Sequence, residues 1–345
     1  MVVRTAARRR TRSAALLLLA AALSTTACVP GADGSKARTE AASGQAVVPR
    51  STGAASTAKR DTRRVPPHGT DSTLDIASWN IEWFGDRAHD PSNDRLQREN
   101  ARDVILGTDA DIWGVAEIVD VSEWKRLKES LPEYDGFIAS EGPVSSRGSF
   151  YRPREQKVGV LFKRSVARLL DAKVILTQND NDFAGRPPLQ VRLRVTVGGQ
   201  SGELVLIVLH MKATPDEGSW MRRARAATAL KRYVDDNWST ARVLVVGDWN
   251  DDVDRSLTRG KPSPYALFSA DAAHYRFLTA PLSARGISST ASHQEMIDHH
   301  LASRALAQME VANSAEVYRV DQFVQNFRRT TSDHFPVISH FTFVR

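Results

Sequence analysis

Residues 330–345, at the end of the chain, read "TTSDHFPVISHFTFVR". From residue 335 onward apolar and polar residues alternate, which predicts a half-buried closing strand. Asp333 and His334 stand side by side immediately before it. A turn would explain this pair, because Ser-Asp is ordinary loop chemistry ahead of a strand. Whether the pair has a chemical role depends on what stands at the ends of the other strands.

More polar residues occur at the same kind of place, which we interpret as the C-terminal end of an apolar strand. With the Asp333–His334 pair, the set comprises Asn80 in "SWNIEW", Glu117 in "VAEI", His210 in "VLHMK", Asp248 and Asn250 in "GDWND", and Asp298 in "IDHHLAS". Each residue alone has a plain explanation as a turn former, a solvated acid or a core histidine. Strand ends at one edge of a sheet converge in space, so the recurrence predicts one shared site.

Short apolar segments alternate with helical ones from Leu74 onward. The strictly alternating "LQVRLRVTV" (189–197) and the apolar "ELVLIVLHM" (203–211) predict strands, and "SWMRRARAATALKRYVDDNW" (219–238) predicts the longest helix. Predicted strands outnumber helices, and several alternate as antiparallel strands do. The pattern predicts an α+β fold of two packed sheets with helices outside. It does not order the strands.

The residue types at the strand ends fit one chemistry. Carboxylates and an amide oxygen are hard ligands suited to Mg²⁺ or Ca²⁺. A histidine backed by a carboxylate forms an oriented acid–base group. The sequence has no Cys–His cluster for zinc, no GxxxxGK phosphate loop and no GxSxG nucleophile elbow. The set therefore indicates metal-assisted attack on a phosphate ester.

The motifs also resemble those of a known family. "SWNIEW", "AEI", "VLHMK", "GDWND", "IDHHLAS" and "SDHFPV" occur in the order found in the endonuclease/exonuclease/phosphatase superfamily, which includes the deoxyribonuclease-I-like enzymes. The resemblance spans about residues 74–345, and "GDWND" together with "SDHFPV" is its most specific part. It implies a four-layer α/β/β/α sandwich with two packed mixed sheets, in agreement with the pattern.

The resemblance implies a catalytic role for five residues. His334 is similar to the general base of the family, or to the hydrogen-bond partner of the attacking water, and Asp298 to the carboxylate that orients it. Asp248 would align the nucleophile, and Asn250 would bind a phosphate oxygen. His210 matches a second histidine that, in the deoxyribonuclease branch, helps the leaving oxygen or stabilises charge on the phosphorane.

Three residues are implied for the metal site, and two more for its surroundings. Glu117 is similar to the principal metal ligand of the family, Asn80 to its metal- and phosphate-side amide, and Asp333 to an acid of the metal or phosphate site. The implied ion is Mg²⁺, with Mn²⁺ or Ca²⁺ as alternatives. Glu155 in "REQKVGVLF" is a candidate partner for His210, although the flanking residues depart from the family pattern. Glu82 stands where some relatives carry a metal-adjacent Asp.

The N-terminal region differs from the rest of the chain. Residues 1–27 have an arginine-rich start, an apolar run and a small-residue exit, which predict an export signal peptide. Cys28, the only cysteine, follows in "TTAC", which resembles a bacterial lipoprotein cleavage box although Thr25 departs from it. Ordinary signal cleavage is the alternative. Residues 28–73 are rich in Ala, Ser, Thr, Gly and Pro and predict a disordered tether, and residues 74–345 form the predicted catalytic domain.

The net charge of +7 arises in this N-terminal region. Residues 1–27 carry five Arg and no acid, and residues 29–73 carry seven basic and four acidic side chains, which leaves residues 74–345 at −1. The basic composition is therefore no argument for nucleic-acid binding.

From the sequence we expect an exported, Mg²⁺-dependent phosphodiesterase, a nuclease that hydrolyses DNA or RNA as a monomer. Its location would be the cell envelope, through a lipid anchor at Cys28, or the exterior. Two alternatives stay open. One is a sphingomyelinase-like or small-molecule phosphoesterase with the same catalytic set, and the other is a non-catalytic surface binding module.

Overall fold

The computed structural model describes residues 65–145 and 150–343. The predicted signal peptide, Cys28 and the tether up to residue 64 lie outside the described residues. The strands are β1 (Leu74–Phe84), β2 (Ile112–Ile118), β3 (Tyr134–Ile138), β4 (Lys157–Lys163), β5 (Ala167–Val174), β6 (Leu189–Val197), β7 (Gln200–His210), β8 (Val243–Asp248), β9 (Tyr275–Phe277), β10 (Asp298–Ser303), β11 (Glu316–Val317) and β12 (Val337–Phe341). The helices are α1 (Asp94–Thr108), α2 (Val121–Glu129), α3 (Glu217–Trp238), α4 (Ala266–Ser269), α5 (Ala280–Ala284), α6 (Arg304–Ala307) and α7 (Phe327–Thr330), with 3-10 turns at Thr177–Asn179 and Val320–Gln322.

The strands form two six-stranded sheets. Sheet A has the order β11-β12-β1-β2-β4-β3, and sheet B has the order β5-β6-β7-β8-β10-β9. In each sheet one central pair is parallel, β1 with β2 and β7 with β8, and the other pairs are antiparallel. Both sheets are therefore mixed.

Three hydrophobic clusters show how the layers pack. Along β7 the side chains point alternately to the two faces of sheet B. Leu204, Leu206 and Val208 pack between the two sheets. The intervening residues Val205, Ile207 and Leu209 pack in the cluster that contains the buried side of α3. The remaining cluster lies on the outer face of sheet A and includes residues of α1 and α2. This arrangement confirms the predicted four-layer α/β/β/α sandwich, and it explains why β7 is apolar throughout, since both of its faces are covered.

The strand directions bring the predicted site to one edge. The parallel pairs of both sheets end there, while β10 and β12 begin there, with Asp333 and His334 just ahead of β12. Asp298 is thus the first residue of β10 and not the end of a strand as predicted; it reaches the same edge because β10 runs antiparallel to β8 and pairs Asp298 with Asp248. Gly247 has a φ of 132°. A Cβ there would lie 2.1 Å from the Leu209 carbonyl oxygen, so only glycine permits this approach of β8 to β7.

The folded part begins earlier than the predicted boundary at Leu74. Val65 is buried against α1 beside Gly107, the carbonyl of Pro66 accepts a hydrogen bond from the Tyr318 hydroxyl, and the ring of His68 lies 4.0 Å from that of Tyr318. Residues 65–73 were wrongly assigned to the tether, because their composition gives no sign of these contacts. Among the described helices, none combines the length and apolar character that a membrane span requires.

Candidate active site

His334 and Asp298 form a buried pair at the edge where the sheets meet. His334 Nδ1 lies 2.8 Å from Asp298 Oδ2. The Ser289 hydroxyl donates to the same carboxylate oxygen at 2.7 Å and accepts from the Asp298 N–H at 3.1 Å. The backbone of His334 is fixed by Trp79 Nε1, which donates to its carbonyl, and by the Ser332 hydroxyl, which accepts from its N–H. The orientation of the imidazole is therefore set on several sides, with Nε2 left for other partners.

Asp248 occupies the centre of the site. Its Oδ2 lies 3.8 Å from His334 Nε2 and 3.5 Å from His210 Nε2. The amide nitrogen of Asn80 donates to the same oxygen at 3.0 Å. One carboxylate oxygen of β8 thus stands between two histidines that come from different sheets.

Glu117 is aimed into the site by a bulge in sheet A. Asn80 pairs with Ala116 and Phe84 with Ile118, so three residues of β1 lie opposite the single residue Glu117. Glu117 has a φ of 63°, a conformation that is unfavourable for a residue other than glycine and that recurs at functional sites. Its Oε1 accepts from Asn80 Nδ2 at 2.9 Å and lies 3.7 Å from His210 Nε2.

Asn80 bridges the two sides of the site through its amide. Its amide oxygen accepts from the Glu82 N–H at 3.0 Å, while its nitrogen faces the carboxylates of Glu117 and Asp248. The bulge provides this N–H. Asn80 therefore holds two carboxylates together, and the second lone pair of its oxygen leaves the predicted contact with a cation open.

His210 lies within the site, but Glu155 is not its partner. His210 is buried, and no described residue makes a hydrogen bond to its Nδ1. Glu155 Oε2 instead accepts from the Arg152 N–H at 2.6 Å, in a local turn before β4. The prediction that Glu155 orients His210 is therefore wrong in this structure, because the turn takes up the carboxylate.

The two histidines carry opposite shifts of pKa. Burial alone would lower the pKa of His334, but the charges of Asp298, Asp248 and Asp333 outweigh it and raise this pKa well above its ordinary value. Burial lowers the pKa of His210 well below its ordinary value, and the positive charges of Arg186 and His334 add to the effect. The histidine with the raised pKa and the histidine with the lowered pKa therefore lie on either side of Asp248.

Burial raises the pKa of Asp248 to about 7; the charge of His334 opposes this shift, and two neighbouring acids reinforce it. A carboxylate whose pKa lies near neutrality is matched to proton transfer at physiological pH.

Asp333 and Glu82 form an acidic extension of the site. Asp333 Oδ1 lies 3.7 Å from His334 Nε2. Glu82 accepts two hydrogen bonds from Arg328 Nη1, at 3.0 and 3.1 Å. Burial raises the pKa of Glu82 to about 7, and the charge of Asp333 adds to it while Arg328 opposes it. The raised pKa of Glu82 and its dependence on the charge of Asp333 indicate that both acids lie at the same part of the site.

Asn250 is fixed directly after Asp248. It has a φ of 54°, its N–H donates to Asp248 Oδ1 at 2.9 Å, and its Nδ2 donates to the Met211 carbonyl at 3.1 Å. An amide nitrogen carries two donor hydrogens, so one remains to meet a phosphate oxygen.

Arg186 is a site residue that the sequence interpretation missed. Its guanidinium donates to Gln156 Oε1 and to the Met211 carbonyl, at 2.5 and 2.8 Å, and its buried Nε has no partner among the described residues. Burial lowers its pKa, while the charges of Glu117 and Asp248 oppose that shift. The loop between β5 and β6 carries this residue, so no strand end marks it. Ser289 was missed for the same reason.

The donor set fits a divalent cation. Glu117, His210 and Asp248 offer ligand atoms within 4.8 Å of one another, and so do Asp248, Asp298 and His334. The carboxylates of Glu117 and Asp248 stand side by side in a buried place, which is costly without a compensating positive charge. Oxygen donors of this kind suit Mg²⁺ or Mn²⁺ better than a thiolate-seeking metal.

The family follows from a match along most of the folded chain. The model of the family described as "Endonuclease/Exonuclease/phosphatase family" matches residues 77–334, a span from β1 to the Asp333–His334 pair. The chain belongs to the endonuclease/exonuclease/phosphatase family. Members of this family are phosphoester hydrolases. No curated protein matches the chain significantly.

Solved structures of this family share the fold. An endonuclease/exonuclease/phosphatase from Bacteroides vulgatus has a TM-score of 0.57 at 14% identity and covers 79% of this chain and 99% of its own. D. rerio TDP2 complexed with a single-strand DNA product has a TM-score of 0.53 at 14% identity, covering 78% and 99%. The human nocturnin catalytic domain with a bound sulfate anion has a TM-score of 0.53 at 15% identity, covering 79% and 95%. At these identities the likeness concerns the fold.

Proposed function

We propose that the protein is an exported, divalent-metal-dependent phosphodiesterase that hydrolyses DNA or RNA by in-line attack of water. The observation that carries the proposal is the position of the Asp248 carboxylate between the Asp298–His334 pair and His210. This arrangement supplies a proton acceptor on one side and a neutral imidazole on the other, as a displacement at phosphorus requires.

The attack begins at the side of His334. The gap of 3.8 Å between Asp248 Oδ2 and His334 Nε2 suits a water or a phosphate oxygen that contacts both groups. The oxygen of that water forms the new bond to phosphorus, and the Asp248–His334 pair takes up the proton that it loses. Asp298 holds the imidazole in place throughout.

The ester bond breaks at the side of His210. Because its Nδ1 has no partner while Nε2 faces two carboxylates, the neutral ring carries its proton on Nε2. This N–H donates to the leaving oxygen and stabilises its developing negative charge. The leaving oxygen then takes its proton from solvent water, and the Asp248–His334 pair returns the proton of the attacking water to solvent. Asn250 and Arg186 would donate to the non-bridging oxygens.

Glu117 and Asp248 would hold the cation, with Glu82 and Asp333 beside them. A bound Mg²⁺, or Mn²⁺, supplies Lewis-acid polarisation of the phosphate and neutralises charge that develops there. Asn80 keeps the two carboxylates at the separation observed here.

A nucleic acid is the favoured substrate for two reasons. Arg186 and Arg328 supply positive charge at the site, where a phosphate would bind, in a domain whose sequence carries a net charge close to zero. The similar TDP2 structure contains a single-strand DNA product.

Export and a lipid anchor at Cys28 form part of the proposal and are supported by the sequence of residues 1–28 alone. An anchored enzyme would act on nucleic acid outside the cell, and the segment between Cys28 and Val65 would separate the domain from the membrane. We propose that it acts as a monomer.

The experiment is a substrate panel with the full chain. Supercoiled plasmid, single-stranded DNA, RNA and sphingomyelin vesicles are each incubated with Mg²⁺ and with excess chelator. Nucleic-acid hydrolysis that depends on Mg²⁺ supports the proposal. Hydrolysis of sphingomyelin without any of nucleic acid supports the alternative phosphoesterase, and no hydrolysis of any diester overturns the proposal.

A further inference from the structure

Trp83 differs from the four tryptophans of the core. Trp79, Trp113, Trp124 and Trp249 are fully buried in the core. Trp83 is only half-buried and belongs to none of the three hydrophobic clusters. An indole that contributes no core packing needs another reason to be held on the surface.

The backbone places this indole beside the catalytic site. Trp83 lies in the bulge of β1, and its N–H donates to Glu117 Oε2 at 2.8 Å. Glu82 and Trp83 have φ values of 32° and 46°, in a region that bulky residues rarely adopt. Such strain persists where the surrounding structure enforces it, and it recurs at functional sites. The bulge thus fixes Trp83 next to the acid that we assign to the cation.

Trp83 is extended by a second flat ring. The His89 imidazole stacks on the indole, with ring centroids 3.7 Å apart and planes 7° from parallel. His89 Nδ1 lies 3.1 Å from Asp86 Oδ2, which fixes the imidazole, yet 44% of the His89 side chain is exposed. The two rings form an oriented aromatic surface, here called the Trp83–His89 stack, at the margin of the site.

We propose that the Trp83–His89 stack binds an unpaired nucleobase of the nucleotide next to the scissile phosphate. The inference rests on the proposed function and deepens it, because it assigns single-stranded or locally unpaired nucleic acid as the substrate class. Proteins that bind single strands offer aromatic side chains on which bases stack, and this contact tolerates any base because every base has a flat π-face. A base within a duplex has both faces covered by its neighbours and cannot use such a surface.

A membrane surface is the other partner to which an exposed tryptophan is suited. Insertion into lipid requires an apolar patch, but the exposed large hydrophobic residues among those described are only Met221, Ile287 and Val311. The carboxylate of Asp86 beside the stack also disfavours burial among lipid chains. The observations therefore favour a base over a lipid.

The test compares an intact single-stranded oligonucleotide with oligonucleotides that lack one base, the abasic position being moved across the cleaved bond. Wild-type full chain with Mg²⁺ should cleave about 10-fold more slowly when one particular base is missing, as expected for the loss of one stacked base. Trp83→Asn removes the indole with a residue that accepts positive φ. The variant should cleave the abasic oligonucleotide at the wild-type rate. It should cleave the intact oligonucleotide no faster than the abasic one. His89→Ala should show part of this loss.

Trp238→Leu is the matched control. Trp238 is half-buried at the C-terminal end of α3, where its Nε1 donates to Gln190 Oε1. Its substitution should leave the difference between intact and abasic substrates unchanged. A binding measurement adds a readout without turnover. In chelator, an oligonucleotide with 2-aminopurine at the sensitive position should lose fluorescence on binding to wild type and less on binding to Trp83→Asn.

Three outcomes would overturn the inference. In the first, Trp83→Asn cleaves the intact and the abasic oligonucleotide more slowly than wild type by the same factor. In the second, wild type cleaves at the same rate whichever base is missing. In the third, Trp83→Asn is impaired only on sphingomyelin vesicles. In each of the first two cases nucleic-acid cleavage by wild type would still stand, so the proposed function survives. Absence of any nucleic-acid cleavage by wild type contradicts the proposed function itself.

Discussion

His334 Nδ1 and Asp298 Oδ2 lie 2.8 Å apart, although the two residues are 36 positions apart in the chain. Asp298 begins β10 of sheet B, whereas His334 precedes β12 of sheet A, so the pair joins the two sheets at the edge that carries the site. We expect the two residues to act as one unit.

Removing His334 should therefore cost about 10²- to 10⁴-fold in turnover, the usual contribution of acid–base catalysis. Asp298→Ala should cost somewhat less, and the double variant should be about as slow as His334→Ala, since an absent imidazole cannot be misoriented. The measurement is kcat with Mg²⁺ for the single and double variants. His340→Ala is the control, because His340 forms a similar pair with Asp75, at 2.6 Å, away from the site. Losses that multiply in full would show that His334 and Asp298 act independently.

Arg186 should contribute to hydrolysis through its positive charge. Arg186→Met keeps the length of the side chain but removes the donors, and we expect kcat/KM to fall about 10- to 100-fold, as for one lost hydrogen bond to a charged group. Arg186→Lys should recover part of the loss. Arg192→Met, which breaks a half-exposed pair with Glu203, serves as the control. An unchanged kcat/KM in Arg186→Met would show that Arg186 does not contribute to hydrolysis.

His300 should make the fold sensitive to acid. It is buried between the sheets, where its two ring nitrogens meet Ser339 Oγ at 2.8 Å and Ser78 Oγ at 3.0 Å. Burial lowers the pKa of His300 to about 3, and the charge of His299 adds to the shift. As the pH falls below about 6.5, the unfolded chain binds a proton that the folded protein does not. Stability is thus full above this pH and is lost as the pH falls toward the folded pKa.

The measurement is urea unfolding between pH 7 and 4.5. In His300→Gln the free energy of unfolding should fall less steeply with decreasing pH than in wild type, by up to about 1.4 kcal/mol per pH unit. His293→Gln, at an exposed position, should behave as wild type. Identical slopes for wild type and His300→Gln would mean that His300 is not protected from protonation.

Cys28 should decide how the protein is held at the cell. If it is the lipidated first residue, the mature protein carries acyl chains and stays with the membrane fraction, because two or more chains give stable anchoring. Cys28→Ser should be released into the medium. The measurement is the intact mass of the purified protein together with fractionation of cells that express either form. A mature mass without acyl chains, or equal retention of both forms, would contradict the anchor.

Much of the fold could be predicted from local pattern. β6 begins and ends at the residues that the sequence indicated, because its apolar alternation is unbroken. β5, in "ARLLDAKV", was missed because its exposed and half-buried positions dilute the alternation. The short β9 and β11 carry too few residues for any period to be visible.

The site could be predicted only where strand geometry brings residues together. Asp248 and His210 end neighbouring parallel strands, so their meeting follows from the sheet. The hydrogen bonds of Asn80 depend on the bulge after it, and those of Glu155 on a turn, and neither leaves a periodic signal. Arg186 and Ser289 come from loops whose paths are set by tertiary packing, which a single sequence does not reveal.

The most direct test of the account is the metal dependence of hydrolysis in wild type and Glu117→Gln. This substitution keeps the shape of the side chain but removes its charge, and Glu203→Gln, at the far end of β7, is the matched control. On the best nucleic-acid substrate, we expect wild type and Glu203→Gln to require Mg²⁺ and to lose activity in chelator.

Glu117→Gln should lose at least about 100-fold in turnover, more than is usual for residues that only support a ligand. Mg²⁺ should raise the Tm of wild type but not of Glu117→Gln, because only a folded state that binds the ion is stabilised by it. Wild-type hydrolysis that persists in excess chelator, or a Glu117→Gln protein with normal turnover and a normal response to Mg²⁺, would contradict the account.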